Sequence, residues 1–386
     1  MKATILFIGI STLLSIFCNN ASAINSESAK YVNRGDSCLR MNDTYNSLLW
    51  YQKAYEVEPS DTVMRRMAQC YFKRGQYNNC LSLIDTLTRD TAVYQDLQLK
   101  LNCLNRMEVE DSVIIECAKQ IVEINPLDVT ATSQLMTFFN NDKNVDSALY
   151  YGNRYYNIDS TNQIINKLLG VSYYFSKDFY RALELFLDAE KNGDWSASLC
   201  YYIGKTYEAC KIPNKAYDYL LMACEKSMFG NVGLVKSLAK VCIATEHRDE
   251  TLDYVDTGIL LCQADSASMA ELYGISADFY CAYSHKYYAD SVKREICLRN
   301  QIKMLEKGLA YNITFETQYS MVVAYGELKD REMEKKWLQV IVDSKWEKTK
   351  ANKNHLEYVA YRLKQITEDE FFEGGQSEDE KVVVIE

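Results

Sequence analysis

Residues 169–189 read LGVSYYFSKDFYRALELFLDA, and residues 203–223 read IGKTYEACKIPNKAYDYLLMA. Leu169-Gly170 with Tyr173 returns 34 residues later as Ile203-Gly204 with Tyr207. At the same offset Ala182, Phe186 and Ala189 return as Ala216, Leu220 and Ala223. A small residue, an aromatic, a small residue, a large apolar residue and another small one form a mould for a helical hairpin. Antiparallel helices approach to about 8–10 Å, and the nearest approach needs Gly, Ala or Ser on both sides. Aromatics such as Tyr173 and Phe186 fill the wedge where the helices splay. Self-similarity at this period marks stacked helix–turn–helix units.

Working outward, the template accommodates nine units. The first has Gly35, Ser47, Tyr51, Ala54 and Pro59; the second Ala68, Tyr71, Gly75, Tyr77 and Cys80. The third closes on Pro126, placed as Pro59 is, where proline stops the second helix. The fourth has Phe139, Ala148, Gly152 and Tyr155, and the seventh Leu238-Ala239, Cys242, Thr251 and Gly258. The eighth begins at Ala277 with a second helix running long, from Ser291 to Leu309. The ninth spans Met321 to Ile341, and an amphipathic stretch, His355 to Ile366, is expected to cap the open end.

These residues resemble the tetratricopeptide repeat family across nearly all of residues 24–366. The resemblance implies an all-α, right-handed superhelical solenoid of about nine to ten antiparallel hairpins. Arg34 and Met136 depart from the pattern, standing where the family prefers an apolar and a small residue.

Composition agrees with helices. Three prolines and 15 glycines among 386 residues leave little for β-turns. A solenoid also escapes the size limit of a single globular core, because each unit needs only its neighbours. Residues 1–23 are read as a secretory signal peptide: Lys2, an apolar Ile5–Phe17, and Ala21-Ser22-Ala23 at the cleavage positions. Cys18 raises a lipoprotein reading, but bulky Phe17 precedes it where a small residue is wanted. No later run nears about 18 uninterrupted apolar residues, so no membrane span is expected. Export, to a periplasm in the first instance, follows as the expected localisation.

The net charge is −10, or −11 once Lys2 is removed. Residues 367–386 hold eight acids and one lysine, so the body is nearly neutral. Without a basic stripe, nucleic acid is not an expected partner. The acidic tail 367–386, ending Val382-Val383-Val384-Ile385, is expected to be disordered.

Catalytic signatures are scarce. His247, His285 and His355 are the whole histidine supply, and no HExxH, GxSxG, phosphate-binding glycine loop or CxxC occurs. No cofactor or metal is expected. Cys281 and His285, four apart and so on one helical face, are the arrangement a thiol-dependent enzyme would use. The alternative is a buried thiol beside a surface histidine.

Twelve cysteines follow residue 23. Residues early in one helix of a hairpin face residues late in the other, so Cys70 with Cys80, Cys103 with Cys117, and Cys200 with Cys224 could pair. Cysteine as a small apolar filler is the competing account. An Asp-Ser/Thr pattern recurs with Thr62, Thr86, Thr91, Ser112, Ser147, Ser160, Ser266 and Ser291. It suits helix capping, and it also resembles the O-glycosylation acceptor of periplasmic proteins in the Bacteroidetes group. Thirty tyrosines include five doublets, whose members point about 100° apart on a helix. One ring of each can pack while the other faces the next helix or a groove.

In proteins of the resembled family the first helix of each hairpin lines a concave groove. That implies Arg65, Gln69, Phe72 and Lys73 in the second unit, and Lys167, Tyr174 and Phe175 in the fifth. It implies Tyr201, Lys205 and Glu208 in the sixth, and Lys236 and Lys240 in the seventh. Lysines 167, 205, 236 and 240 would form a modest basic patch suited to an acidic peptide or a C-terminal carboxylate. The functional expectation is therefore a non-catalytic exported scaffold that binds a protein or peptide. A carbohydrate-binding module stacking sugars on groove tyrosines is the alternative.

Overall fold

The computed structural model describes residues 27–89, 92–262 and 265–379, with side chains as far as residue 368. The signal segment, Thr91 and the closing Val382–Ile385 run therefore lie outside the described residues. Those described form nineteen α-helices and one 3₁₀ turn, with no strand among them. Compact units divide at Leu185/Phe186, inside a helix.

The first unit holds α1 (27–40), α2 (Thr44–Val57), α3 (Asp61–Lys73), α4 (Tyr77–Leu87), α5 (Tyr94–Leu104), α6 (Asp111–Ile124), α7 (Val129–Asn141), α8 (Val145–Tyr156) and α9 (Gln163–Phe175). It runs into α10 (Phe179–Lys191). Its interior is a chain of small cores. Val63, Met67 and Cys70 on one side of α3 pack with Leu48, Tyr51 and Ala54 of α2. Met64 and Ala68 on its other side pack with Ile84 and Leu87 of α4. Leu97, Leu101, Ile121 and Leu135 then join α5, α6 and α7. α3 and α5 thus each serve two successive cores, and stability comes from neighbours along the chain.

The second unit continues with α11 (Ala197–Ala209), α12 (Pro213–Lys226), α13 (Val232–Cys242), α14 (Thr251–Leu261), α15 (Ser266–Lys286), α16 (Ser291–Leu309), α17 (Phe315–Leu328), α18 (Arg331–Asp343) and α19 (Lys353–Asp379). The long second helix expected from the sequence is α16, with the bounds read there. Its partner α15 starts eleven residues before Ala277 and spans 21 residues. Val359 and Ile366 of α19 are buried against Phe315, Val322, Leu338 and Ile341, closing the end as expected. The helix itself runs on to Asp379, through much of the segment expected to be disordered.

Small residues mark the close approaches. A Cβ at Gly204 would stand 2.8 Å from Leu220 Cγ and 3.1 Å from the Ala216 carbonyl oxygen. At Gly152 the same atom would meet Met136 Cε at 2.6 Å. Large Met136 at a small-residue position is therefore matched by glycine opposite it. Arg34, the other departure, lies over the Trp50 ring at 4.8 Å.

The turn inside the hairpins also recurs. Lys143, Lys177 and Lys211, spaced 34 apart, have φ of 59°, 67° and 62°. The next residue's amide donates back to the repeat's aromatic: Asn144 N to Phe139 O, Asp178 N to Tyr173 O and Ile212 N to Tyr207 O. In α7, α9 and α11 a left-handed residue thus follows the C-cap and closes the helix, a place where glycine is preferred, as at Gly75 after α3.

The Asp-Ser/Thr triplets divide by position. Asp265 and Asp290 are N-caps, accepting from the amides of Ala267, Ser268 and Lys293, with Ser266 and Ser291 exposed beside them. Thr62, Ser112 and Ser147 instead lie in first turns, and Ser160 in the α8–α9 connection. Thr86 sits in the last turn of α4, bonded to Ser82 O, so capping does not explain it. Tyrosine doublets behave as the 100° step demands: Tyr155 and Tyr173 are buried while Tyr156 and Tyr174 are half-exposed.

Candidate functional site

The first helices place the groove candidates, and several of these side chains reach the next first helix. Arg65 on α3, three residues before Ala68, forms a two-point ion pair with Asp96 on α5, with Nε 3.0 Å from both carboxylate oxygens. The Asp96 side chain is only 4% exposed. Lys236 on α13, three before Ala239, reaches α15, with Nζ 2.9 Å from Ser268 Oγ and 2.7 Å from Glu271. Tyr94 on α5 donates to Asp128 at the start of α7, at 2.7 Å. Asn140 on α7 donates to Ser172 on α9, at 3.0 Å. All four links join residues 31 to 34 apart in sequence. They are struts between repeats, and Arg65 and Lys236 direct their charge to a repeat neighbour.

Lys205 is ion-paired with Glu208 one turn on. Phe72 packs its ring on Tyr77 at 5.7 Å. Tyr174 contacts Phe175 and Phe179 at 5.5 and 5.9 Å, and Tyr201 meets Tyr202 edge-on at 5.4 Å. Gln69, Lys73, Phe175 and Lys240 are exposed, whereas Lys167 is half-buried. The four lysines thus sit in different surroundings, with two of them paired to glutamates. A basic patch needs uncompensated charge, and at Lys205 and Lys236 the facing carboxylates neutralise it.

In the second unit the long α15–α16 hairpin borders an open cleft of about 550 Å³. Tyr288, Arg294 and Arg299 line one wall, and Tyr325, Glu327 and Lys329 the other. Arg294 donates to Glu327 at 3.0 Å and lies over the Tyr288 ring at 5.0 Å. Tyr288 is 74% exposed. Lys329 is the left-handed C-cap of α17, and with Asp330 it closes that wall of the cleft. Sequence reading missed this cleft; the added length of the eighth unit's second helix was its one visible sign.

Cys281 and His285 lie beside this cleft on α15. Burial pushes the Cys281 thiol up, and Glu327 and Asp278 push the same way. A nucleophilic thiolate needs the opposite shift. His285 Nε2 is 3.5 Å from Glu327 Oε1.

A third cluster gathers around Glu250, in the turn between α13 and α14. Tyr217 and Tyr254 both donate to its Oε2 at 2.8 Å, and His247 Nδ1 lies 2.9 Å from Oε1. The His247 ring stacks on Tyr217 at 4.4 Å. These contacts, His247 foremost, hold the Glu250 carboxyl below its usual range, while burial pushes the Tyr217 hydroxyl up to about 12.

All twelve described cysteines are free thiols in this structure; Cys70 and Cys80 lie in different cores, as do Cys103 and Cys117, so neither of these expected pairs meets. Cys70 lies 3.6 Å from Ser47 Oγ, and Cys117 is 3.7 Å from the Leu97 carbonyl oxygen. Cys80 and Cys103 share one core, although neither was expected to meet the other. Cys200 and Cys224 are both buried, and burial raises both thiols, Cys224 to about 12. Among the described residues no cluster of three or more metal-ligating side chains occurs, and no helix is long and apolar enough to cross a membrane.

No family model matches the sequence, and no curated protein matches it. Several solved structures are similar. A tetratricopeptide repeat protein from Parabacteroides merdae is 10% identical, over 64% of this chain and 98% of its own, with a TM-score of 0.42. YrrB, a TPR protein with an unusual peptide-binding site, is 16% identical over 56% of this chain and 99% of its own, at 0.41. Cut9–Hcn1 of the APC/C hetero-tetramer is 13% identical over 84% of this chain and 63% of its own, at 0.46.

Proposed function

We propose that the protein is an exported, non-catalytic scaffold that binds a protein or peptide segment. The observation that supports this most is the cleft beside α16 and α17. It is open, it mixes Arg294, Arg299 and Lys329 with Glu295, Glu327 and Asp330, and an exposed tyrosine stands at its edge. A polypeptide segment offers both charges and apolar side chains to such a wall.

A photoreactive amino acid at position 288 tests the assignment, with position 180 as the exposed control. The bound material should crosslink to 288 well above 180 and prove to be polypeptide. Equal crosslinking at both positions rejects the cleft, and a glycan adduct at 288 replaces the peptide reading with the carbohydrate one.

A further inference from the structure

Cys80 is the fourth residue of α4 and Cys103 the last but one of α5. Antiparallel packing of these helices across the 88–93 connection brings an early residue of the first against a late residue of the second. Both side chains are 0% exposed and lie in one small core with Ala68, Ile84 and Leu87. Their side chains act on each other there: Cys103 pushes the Cys80 thiol up and Cys80 draws the Cys103 thiol down. Cys70 mirrors Cys80 across the α3–α4 turn, yet it faces the preceding core with Leu48 and Tyr51. Cys117 belongs to the following core, with Leu97 and Leu101. The packing of α4 on α5 thus matches Cys80 with Cys103, while Cys70 on α3 and Cys117 on α6 belong to the cores on either side.

We infer that Cys80 and Cys103 form an intramolecular disulfide tying α4 to α5 when the chain folds in an oxidising compartment. The two S–H bonds break and one S–S bond forms. Two electrons and two protons pass to a disulfide of a thiol–disulfide oxidant, which leaves as its dithiol. The bridge has a structural task here. α4, α5 and α6 each lack a side-chain N-cap, unlike α2, α3, α7, α8 and α9. A crosslink that closes the chain from 80 to 103 restricts the unfolded ensemble of this weakly capped stretch. The supply of oxidant in the cell rests on the export reading; the pairing itself does not.

The wild-type chain, refolded in oxidised and reduced glutathione, is denatured without reductant, alkylated and digested. The expected result is one linked peptide pair holding Cys80 and Cys103, two hydrogen masses lighter than its reduced parts, with Cys70 and Cys117 alkylated. Alkylation of both Cys80 and Cys103, or linkage of either to Cys70 or Cys117, overturns the pairing. The same map on protein recovered from its native cells tests the compartment separately. A link seen after refolding but absent there overturns the export reading and leaves the pairing intact.

Discussion

The α3–α5 neighbourhood and the α15–α17 neighbourhood are built from the same hairpin plan, yet they use their polar side chains differently. In the first, helices of 11 to 13 residues stack closely, and Arg65 crosses one repeat to a buried Asp96. In the second, α15 and α16 reach 21 and 19 residues against 14 in α17. There Arg294 and Glu327 meet at the border of open space, with side chains 23% and 26% exposed. Polar residues that face the next first helix become struts, as Arg65 does to α5 and Lys236 to α15. Unequal lengths leave the overhanging end uncovered, and polar residues there face a cleft. Repeat regularity therefore builds the frame, and departure from it makes room for a ligand.

Breaking the frame should have the largest effect. Arg65→Met leaves the Asp96 carboxylate buried without its partner, at a cost of about 3 kcal/mol in urea unfolding. Arg294→Met at the cleft, where Glu327 keeps access to water, should cost under about 1 kcal/mol. Equal losses at the two sites would erase the distinction drawn here.

The glycine contacts sharpen the same contrast. Gly204→Ala drives a methyl toward the Ala216 carbonyl, backbone that cannot yield, and should cost about 2 kcal/mol. Gly152→Ala meets the ends of flexible Met136 and Leu169 side chains, so its cost should stay under about 1 kcal/mol. Thermal unfolding of the two variants side by side checks the order.

Relief of backbone strain comes next, with opposite sign. Lys211→Gly removes a side chain from a left-handed position and should raise stability by roughly 0.5–1 kcal/mol, read from the urea midpoint.

The smallest effect expected is a pH response at Glu250. Its folded carboxyl is held below the unfolded value by His247, Tyr254 and Tyr217. The stabilisation is therefore complete above the unfolded value and fades as pH falls through the folded one. Amide exchange in the first turn of α14 should quicken only at acid pH below the ordinary carboxylate range. Quickening that begins already above the ordinary carboxylate range would overturn this assignment to Glu250.

The periodic features were legible in advance. Gly204 against Ala216 and Leu220, the Ser291–Leu309 helix and the closing contact of Ile366 all follow from which face an apolar or small residue occupies. A hydrophobic repeat specifies those faces, because burial depends on the side chain's own direction. Thr86 shows the limit of local pattern, since an identical triplet can fall at either end of a helix.

The amino-acid sequence by itself determined that this chain is a series of helical hairpins and which small and apolar residues meet within the clearest of them. Only the tertiary structure decided that Arg65 meets Asp96, that Lys236 meets Glu271, that Cys80 faces Cys103 and that a cleft opens beside α16. The physical reason is that such meetings depend on the rotation and stagger of one repeat against the next. Many side chains together set those quantities, and no single 34-residue period records them.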